Sequence, residues 1–249
     1  MLRLAAAPRM RLQTAACLLL VALLALPTTR SFSLVLLPRS LSLPRSPAPG
    51  PRHSRQTWRT PILNLRSAAA ASDSEAMGRC AAALCAAGDE IVAAAAILGE
   101  NQCDEEDPAR LSAGGCSIAN AGRDAEEVAA ALRDNEWVTA CGPLKACAGS
   151  LFGAAASLAD VCGAALGEAG LEIEDASLVL PATAGPSLTS AGESLASAGG
   201  ALGAHASEMK KGGVVYAQAG ARLFLAGGSL AAAGEALEQC GVAVEKGGN

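Results

Sequence analysis

Aromatic side chains are nearly absent from this chain of 249 residues, in which Phe, Trp and Tyr together make up 2 %. Alanine therefore dominates a hydrophobic content of 51 %. Alanine has little apolar surface to bury, so at roughly 25 cal/mol per Å² each core position gains less than a Leu or Phe would. We expect close approach of helix backbones to supply part of the remaining stabilisation.

Residues that carry catalysis or bind metals are scarce or badly spaced. The chain has two histidines and nine cysteines, and no two cysteines have the CxxC spacing of zinc or thioredoxin-like sites. The acidic loop Asp104–Asp107 lacks the spaced ligands and the glycine of an EF-hand, so we interpret it as a solvated charge cluster. No glycine-rich stretch follows a strand or precedes a Lys-Ser/Thr pair. We therefore expect no enzyme activity, no cofactor and no metal, with His205 a tolerated polar residue.

Four cysteines occupy positions where the surrounding pattern has alanine, and there we expect cysteine to act as a slightly larger alanine; they are Cys80, Cys141, Cys162 and Cys240. The number of cysteines after the first 31 residues is eight, which leaves disulfides open. Cys103 and Cys116, close to a predicted loop, are the better placed pair.

Acidic residues are absent from the first 72 positions, which contain ten Arg and no Lys. Asp73 is the first acid, and the residues from it onward hold all 24 acids against nine basic residues, a net charge of −15. Such a body has no basic patch for nucleic acid and would be repelled by anionic lipid.

The first 31 residues have the three parts of a secretory signal peptide. A basic beginning is followed by an apolar run of twelve residues, Ala15–Leu26, and small residues at Thr29 and Ser31 precede Phe32. The run is too short for a comfortable membrane span. We predict a cleaved signal peptide over residues 1–31, with an uncleaved anchor as the alternative.

Residues 32–72 are rich in Ser, Pro and Arg and contain no acid, a composition typical of transit peptides, and we predict that they are disordered. Ser31–Phe32 provides a phenylalanine directly after the predicted cleavage point. In these features the first 72 residues resemble the bipartite plastid-targeting presequence of algae with secondary plastids. The resemblance implies a plastid location, in the stroma or associated with thylakoids, and removal of the leader near Arg66–Ser72. A secreted protein with a basic linker is the alternative.

From residue 73 the chain shows large and small apolar residues alternating by three and four, the pattern of a helix contact face. The seven-residue frame holds within blocks and is lost between them, at Pro- and acid-rich segments, which indicates several helices folding back on one another. We predict an all-α bundle over residues 73–249, with four or five mostly antiparallel Ala/Gly-rich helices. Their predicted ranges are about 74–99, 109–134, 143–170, 187–211 and 213–246.

The pattern is most regular between Ala184 and Lys246, where it defines a contact seam. The seam residues are Leu188, Ala191, Leu195, Ala198, Leu202, Leu223, Ala226, Leu230, Ala233 and Leu237. The frame is unbroken there, and one continuous helix would be about 95 Å long. Lysines followed by glycines at Met209–Gly213 favour a hairpin instead.

A structural or scaffolding protein of a plastid complex fits this pattern, with a protein partner or a second copy bound through the Ala/Gly seam. A soluble stress-protective protein and a carrier of a pigment or other small ligand are alternatives. We predict no integral membrane segment after processing, because apolar windows such as Ala148–Leu166 and Val214–Leu237 contain charges. Peripheral contact with the thylakoid remains compatible with the sequence.

The seam leads to a test of close packing. Replacing Ala198 or Ala226 with Leu should lower the melting temperature much more than replacing Ala204 with Leu, because overfilling a close helix contact forces the backbones apart. Thermal unfolding of the three variants checks this, and equal melting temperatures would contradict it.

Overall fold

The structure, a computed structural model, describes residues 60–103 and 107–248, and it is built from helices. There are six α-helices in this part of the chain: α1 Thr60–Glu100, α2 Pro108–Arg133, α3 Trp137–Ser157, α4 Gly163–Ser177, α5 Pro181–Met209 and α6 Val214–Gly248. One 3₁₀ turn, Lys210–Gly212, joins the last two. The predicted all-α bundle is confirmed, with six helices instead of four or five. The predicted signal peptide and residues 32–59 of the predicted transit peptide lie outside the described residues. The first helix was predicted from about residue 74 but begins at Thr60, so the prediction of disorder is wrong for residues 60–72.

The helices form a closed ring. Each one packs against the next along the chain, and α6 packs back against α1. Short connections make successive neighbours antiparallel, so α1, α3 and α5 run one way and α2, α4 and α6 the other. Polar contacts join the first and last helices: Arg222 binds Glu90 at 3.0 Å, and the Arg79 guanidinium donates to Gln239 Oε1 at 2.7 Å.

Two helices begin six residues before their predicted starts. The sequence placed these starts at 143 and 187, directly at or after a proline. Instead, Pro143 and Pro186 lie in the second turns of α3 and α5. A proline there removes one backbone hydrogen bond. Packing of Ala140 and Ala184, both fully buried, stabilises the extra turns, since tertiary contacts rather than local propensity decide most helix boundaries.

The predicted helix 143–170 is divided into α3 and α4. The chain turns at residues 158–162, where Leu158 is buried against α2 and Gly163 begins α4. A Cβ at Gly114 would lie 2.6 Å from Leu158 Cγ, so the missing side chain of Gly114 makes room for this turn. The seven-residue pattern continues through the break, which is why it did not reveal the turn.

Between α5 and α6 the chain reverses direction at residues 210–213. Gly213 has a φ of 114°, a backbone conformation that side-chain-bearing residues rarely adopt. The two helices then run back along each other for most of their length. This is the hairpin arrangement, in which the unbroken seven-residue frame serves two antiparallel helices.

Glycines bring the backbones of α5 and α6 into direct contact. A Cβ added at Gly227 would lie 2.7 Å from the Gly199 carbonyl oxygen, a distance that real Cβ atoms do not show. The same contact recurs every seven residues, in the pairs Gly185–Gly241, Gly192–Gly234, Gly199–Gly227 and Ala206–Gly220. Helices α1 and α2 repeat it with Gly88–Gly115 and Ala81–Gly122. These helices therefore approach each other more closely than a Cβ would allow.

The large side chains converge on the middle of the ring. A narrow axial cavity is lined by residues of all six helices, among them Leu84, Val128, Leu144, Ile173 and Leu237. Its volume is ≈ 10 Å³, room for about one water molecule. Large apolar side chains thus fill the core, while glycines that face the neighbouring helix set the spacing between helices.

Two adjacent glycines on α5 test whether backbone contact sets the spacing between helices. Gly199→Ala should lower the free energy of unfolding by about 1–3 kcal/mol, because the new methyl group meets the backbone of α6. Gly200→Ala should raise it by about 0.5–1 kcal/mol, since a Cβ there meets nothing within 4 Å and alanine favours the helix. Denaturant unfolding of both variants measures the two changes.

The pair Gly227→Ala and Gly228→Ala repeats the comparison on α6, where again only the first position faces a backbone. Changes of the same sign at adjacent glycines would show that the helices are not held by backbone contact.

Candidate functional site

The predicted contact seam lies inside the bundle. Nine of its ten residues are fully buried and Leu237 is 2 % exposed. Leu195 and Leu237 line the axial cavity. In the folded chain these side chains contact the chain's own helices, so a partner would have to bind a different surface.

No glycine is among the ten seam residues, although glycines form the backbone contacts. The sequence signal for them was a glycine directly after the small residue in nearly every heptad, as in Ala191–Gly192 and Ala233–Gly234. In the structure the alanine faces the core and the following glycine faces the neighbouring helix. Because successive helix positions differ in direction by about 100°, adjacent small residues serve two different contacts.

All eight described cysteines are free thiols. Four are buried: Cys80, Cys147, Cys162 and Cys240. Burial raises the pKa of Cys147, Cys162 and Cys240 from 9.0 to about 12 and raises that of Cys80 well above 9.0. Such thiols stay protonated and unreactive at neutral pH. Of the pair considered for a disulfide, Cys103 is half-buried and Cys116 is exposed.

In the described part of the chain, the buried polar residues are Ser74 and Ser177. No three His, Cys, Asp or Glu side chains there lie close enough to hold a metal ion. His205 is half-buried on α5. Asp107 accepts hydrogen bonds from the backbone N–H groups of Ala109 and Arg110 and so caps α2. Residues 104–106 of the acidic loop lie outside the described residues.

The axial cavity bears on the carrier hypothesis. With room for about one water, it cannot hold a pigment as it stands. Met77, Cys80 and Cys147 are part of its lining, which is apolar throughout.

An exposed apolar cluster lies at the end of the bundle where α2 meets α3 and α4 meets α5. We call it the end patch: Trp137, Val138, Leu178, Val179 and Leu180. Leu178 and Leu180 are 70 % and 75 % exposed, and Val138 is 88 % exposed. The half-buried Trp137 donates a hydrogen bond from Nε1 to the Val179 carbonyl oxygen at 3.0 Å, which joins the start of α3 to the α4–α5 connection.

Among the described residues, one helical segment is long and apolar enough to cross a membrane by length and composition. It is Ser72–Glu100 in α1, which the prediction of no integral membrane segment had not taken into account. Within the bundle 44 % of its 18-residue apolar window is buried, including Leu84, Ile91 and Leu98. Core helices of soluble proteins share this composition, so length and apolar content alone do not make the segment a span.

Comparison with known proteins adds no assignment, since no protein-family model and no curated protein matches the sequence.

The buried thiols make stability depend on alkaline pH. The unfolded chain ionises its thiols near pH 9, whereas the folded chain holds Cys147 protonated up to about pH 12. The free energy of unfolding should therefore fall as the pH rises from about 9 towards 12, by up to about 1.4 kcal/mol per pH unit for each such thiol. Cys147→Ala should lose less stability over this range than the unchanged chain.

Cys116→Ala is the matched control, because Cys116 is exposed. Denaturant unfolding at pH 8 and at pH 10.5 compares the three proteins. An unchanged pH dependence in Cys147→Ala would show that this thiol is not protected by the fold.

Proposed function

We propose that this protein is a non-catalytic structural component of a plastid, in which the helical bundle presents a fixed apolar docking surface to a protein of a larger complex. The observation that carries the proposal is the end patch. Val138 at the start of α3 is exposed beside Leu178, Val179 and Leu180 of the α4–α5 connection, and exposed apolar patches mark interaction sites.

The way the end patch is held supports docking. The hydrogen bond from Trp137 to Val179 links the start of α3 to the α4–α5 connection. Trp137 also packs against the core, so the neighbouring apolar residues project from a rigid base. A surface that is already ordered loses little conformational entropy on binding.

The charges beside the end patch indicate the chemistry of the partner. The exposed residues that flank the end patch include three acids and one base. The acids are Asp134, Glu136 and Asp175, and the base is Arg133. An acidic rim around an apolar centre complements an apolar surface bordered by Lys or Arg. The same rim would repel anionic lipid headgroups, so we place a protein there rather than a charged membrane.

The plastid part of the proposal is supported by the leader. Its apolar run, its arginines and the absence of acids before Asp73 resemble a bipartite presequence. Removal of this leader would leave the residues from Asp73 onward, which hold all 24 acids.

One experiment tests location and docking together. The full chain with a tag after Asn249 is expressed in an alga with secondary plastids, plastids are isolated, and tagged protein is captured under native conditions with absorbance recorded. We expect the tag in the plastid fraction together with a specific protein. We also expect the double variant Leu178→Ser and Leu180→Ser to lose that protein, because it removes most of the exposed apolar surface.

Leu225→Ser is the control, since Leu225 is 54 % exposed on α6, away from the end patch. It should retain the partner. Retention by the double variant would contradict docking at the end patch, tagged protein found outside plastids would contradict the location, and a coloured monomer would favour the carrier hypothesis.

A further inference from the structure

Helix α1 contains a helix-start signal in its interior. Ser72-Asp73-Ser74-Glu75 has a serine followed three residues later by a glutamate, the pattern of a capping box. In a capping box the two side chains satisfy free backbone N–H groups of a first helical turn. Yet α1 begins at Thr60 and runs through Ser72 without a break, so no free N–H groups are available there.

Asp73 is poorly accommodated in this continuous helix. Its Oδ1 atom is buried and has no hydrogen-bond partner. Burial raises the pKa of this carboxyl, although a backbone hydrogen bond opposes the rise. A buried carboxylate oxygen without a donor destabilises the fold.

Side chains at and just after this signal are part of the core, since Ser74, Ala76 and Met77 are buried. Ser72 itself lines an open groove on α6, together with Glu238 and Lys246. The capping signal, the unsatisfied oxygen and these three core residues thus lie within one and a half turns of helix.

We propose that the peptide bond between Ala71 and Ser72 is the processing site at which the leader is removed, and that cleavage converts Ser72–Glu75 from helix interior into the capped start of α1. A leader-removing peptidase hydrolyses the bond with one water molecule, leaving a carboxylate on Ala71 and an amino group on Ser72. The inference rests on removal of the leader and not on the docking role of the bundle.

Cleavage resolves the position of Asp73. With residues up to Ala71 gone, the N–H groups of the first turn lose their carbonyl partners, and Ser72 and Glu75 can satisfy them. Asp73 then lies in the first turn, where the helix dipole favours negative charge. The new amino group of Ser72 adds a positive charge next to it, in the groove that Glu238 also lines.

The site is read directly from the mature protein. Full-length chain tagged after Asn249 is isolated from algal cells, and its N-terminal peptide is identified by mass spectrometry. Ser72 as the first residue supports the proposal, and any other first residue overturns it.

The change in the role of Asp73 has a separate readout. In the unprocessed full chain, Asp73→Ala should raise Tm by about 2–4 °C, because it removes a buried carboxyl without a partner. In the processed chain the same substitution should lower Tm by a similar amount, since it removes a favourable charge from the first turn. A shift of the same sign in both forms overturns the proposal.

Asp89→Ala serves as the matched control, because Asp89 is exposed on the same helix and far from its start. Its effect on Tm should be the same before and after processing. Neither the N-terminal peptide nor the Tm shifts depend on a partner protein. Failure of the intact bundle to capture a partner would therefore contradict only the proposed docking role.

Discussion

The contact between glycine and a backbone carbonyl, repeated every seven residues along antiparallel helices, determines the spacing on which the rest of this structure depends. At four levels of the α5–α6 hairpin one helix lies against the main chain of the other, and α1 and α2 repeat the arrangement. Glycine in a helix costs about 1 kcal/mol relative to alanine. That cost is offset by dispersion between backbones that no side chain keeps apart.

Close spacing explains how a core poor in aromatic residues can be complete. When neighbouring helices approach closely, the ring is narrow, and one Leu or Ile in each heptad reaches its axis. The remaining cavity then has room for about one water molecule. Wider spacing would leave an unfilled channel that alanine could not close, and lost contacts around such voids destabilise a core.

Because the bundle is closed, a binding surface for a partner must lie on its outside. The seam residues are buried in contacts within the chain and cannot also bind a partner, so the end patch is the surface to test. The four buried thiols likewise contribute to packing and not to reactivity. Asp73, where the predicted leader meets the bundle, has a buried Oδ1 atom without a hydrogen-bond partner in the continuous helix α1.

From the sequence alone it was possible to predict an all-α bundle, the residues of its seam and a turn near Gly213, because the seven-residue period and the glycines are local signals. The sequence did not predict where α3 and α5 start, because proline disfavours a helix interior and tertiary packing of Ala140 and Ala184 outweighs that cost. It did not predict the break at residues 158–162 either, because the seven-residue frame continues through it while Leu158 is buried by tertiary packing. Ring closure by Arg222 and Glu90, and the meeting of Trp137 with Val179, join residues more than 40 positions apart. Sequence periodicity specifies which face of a helix is buried, but only the tertiary structure decides which helix buries it.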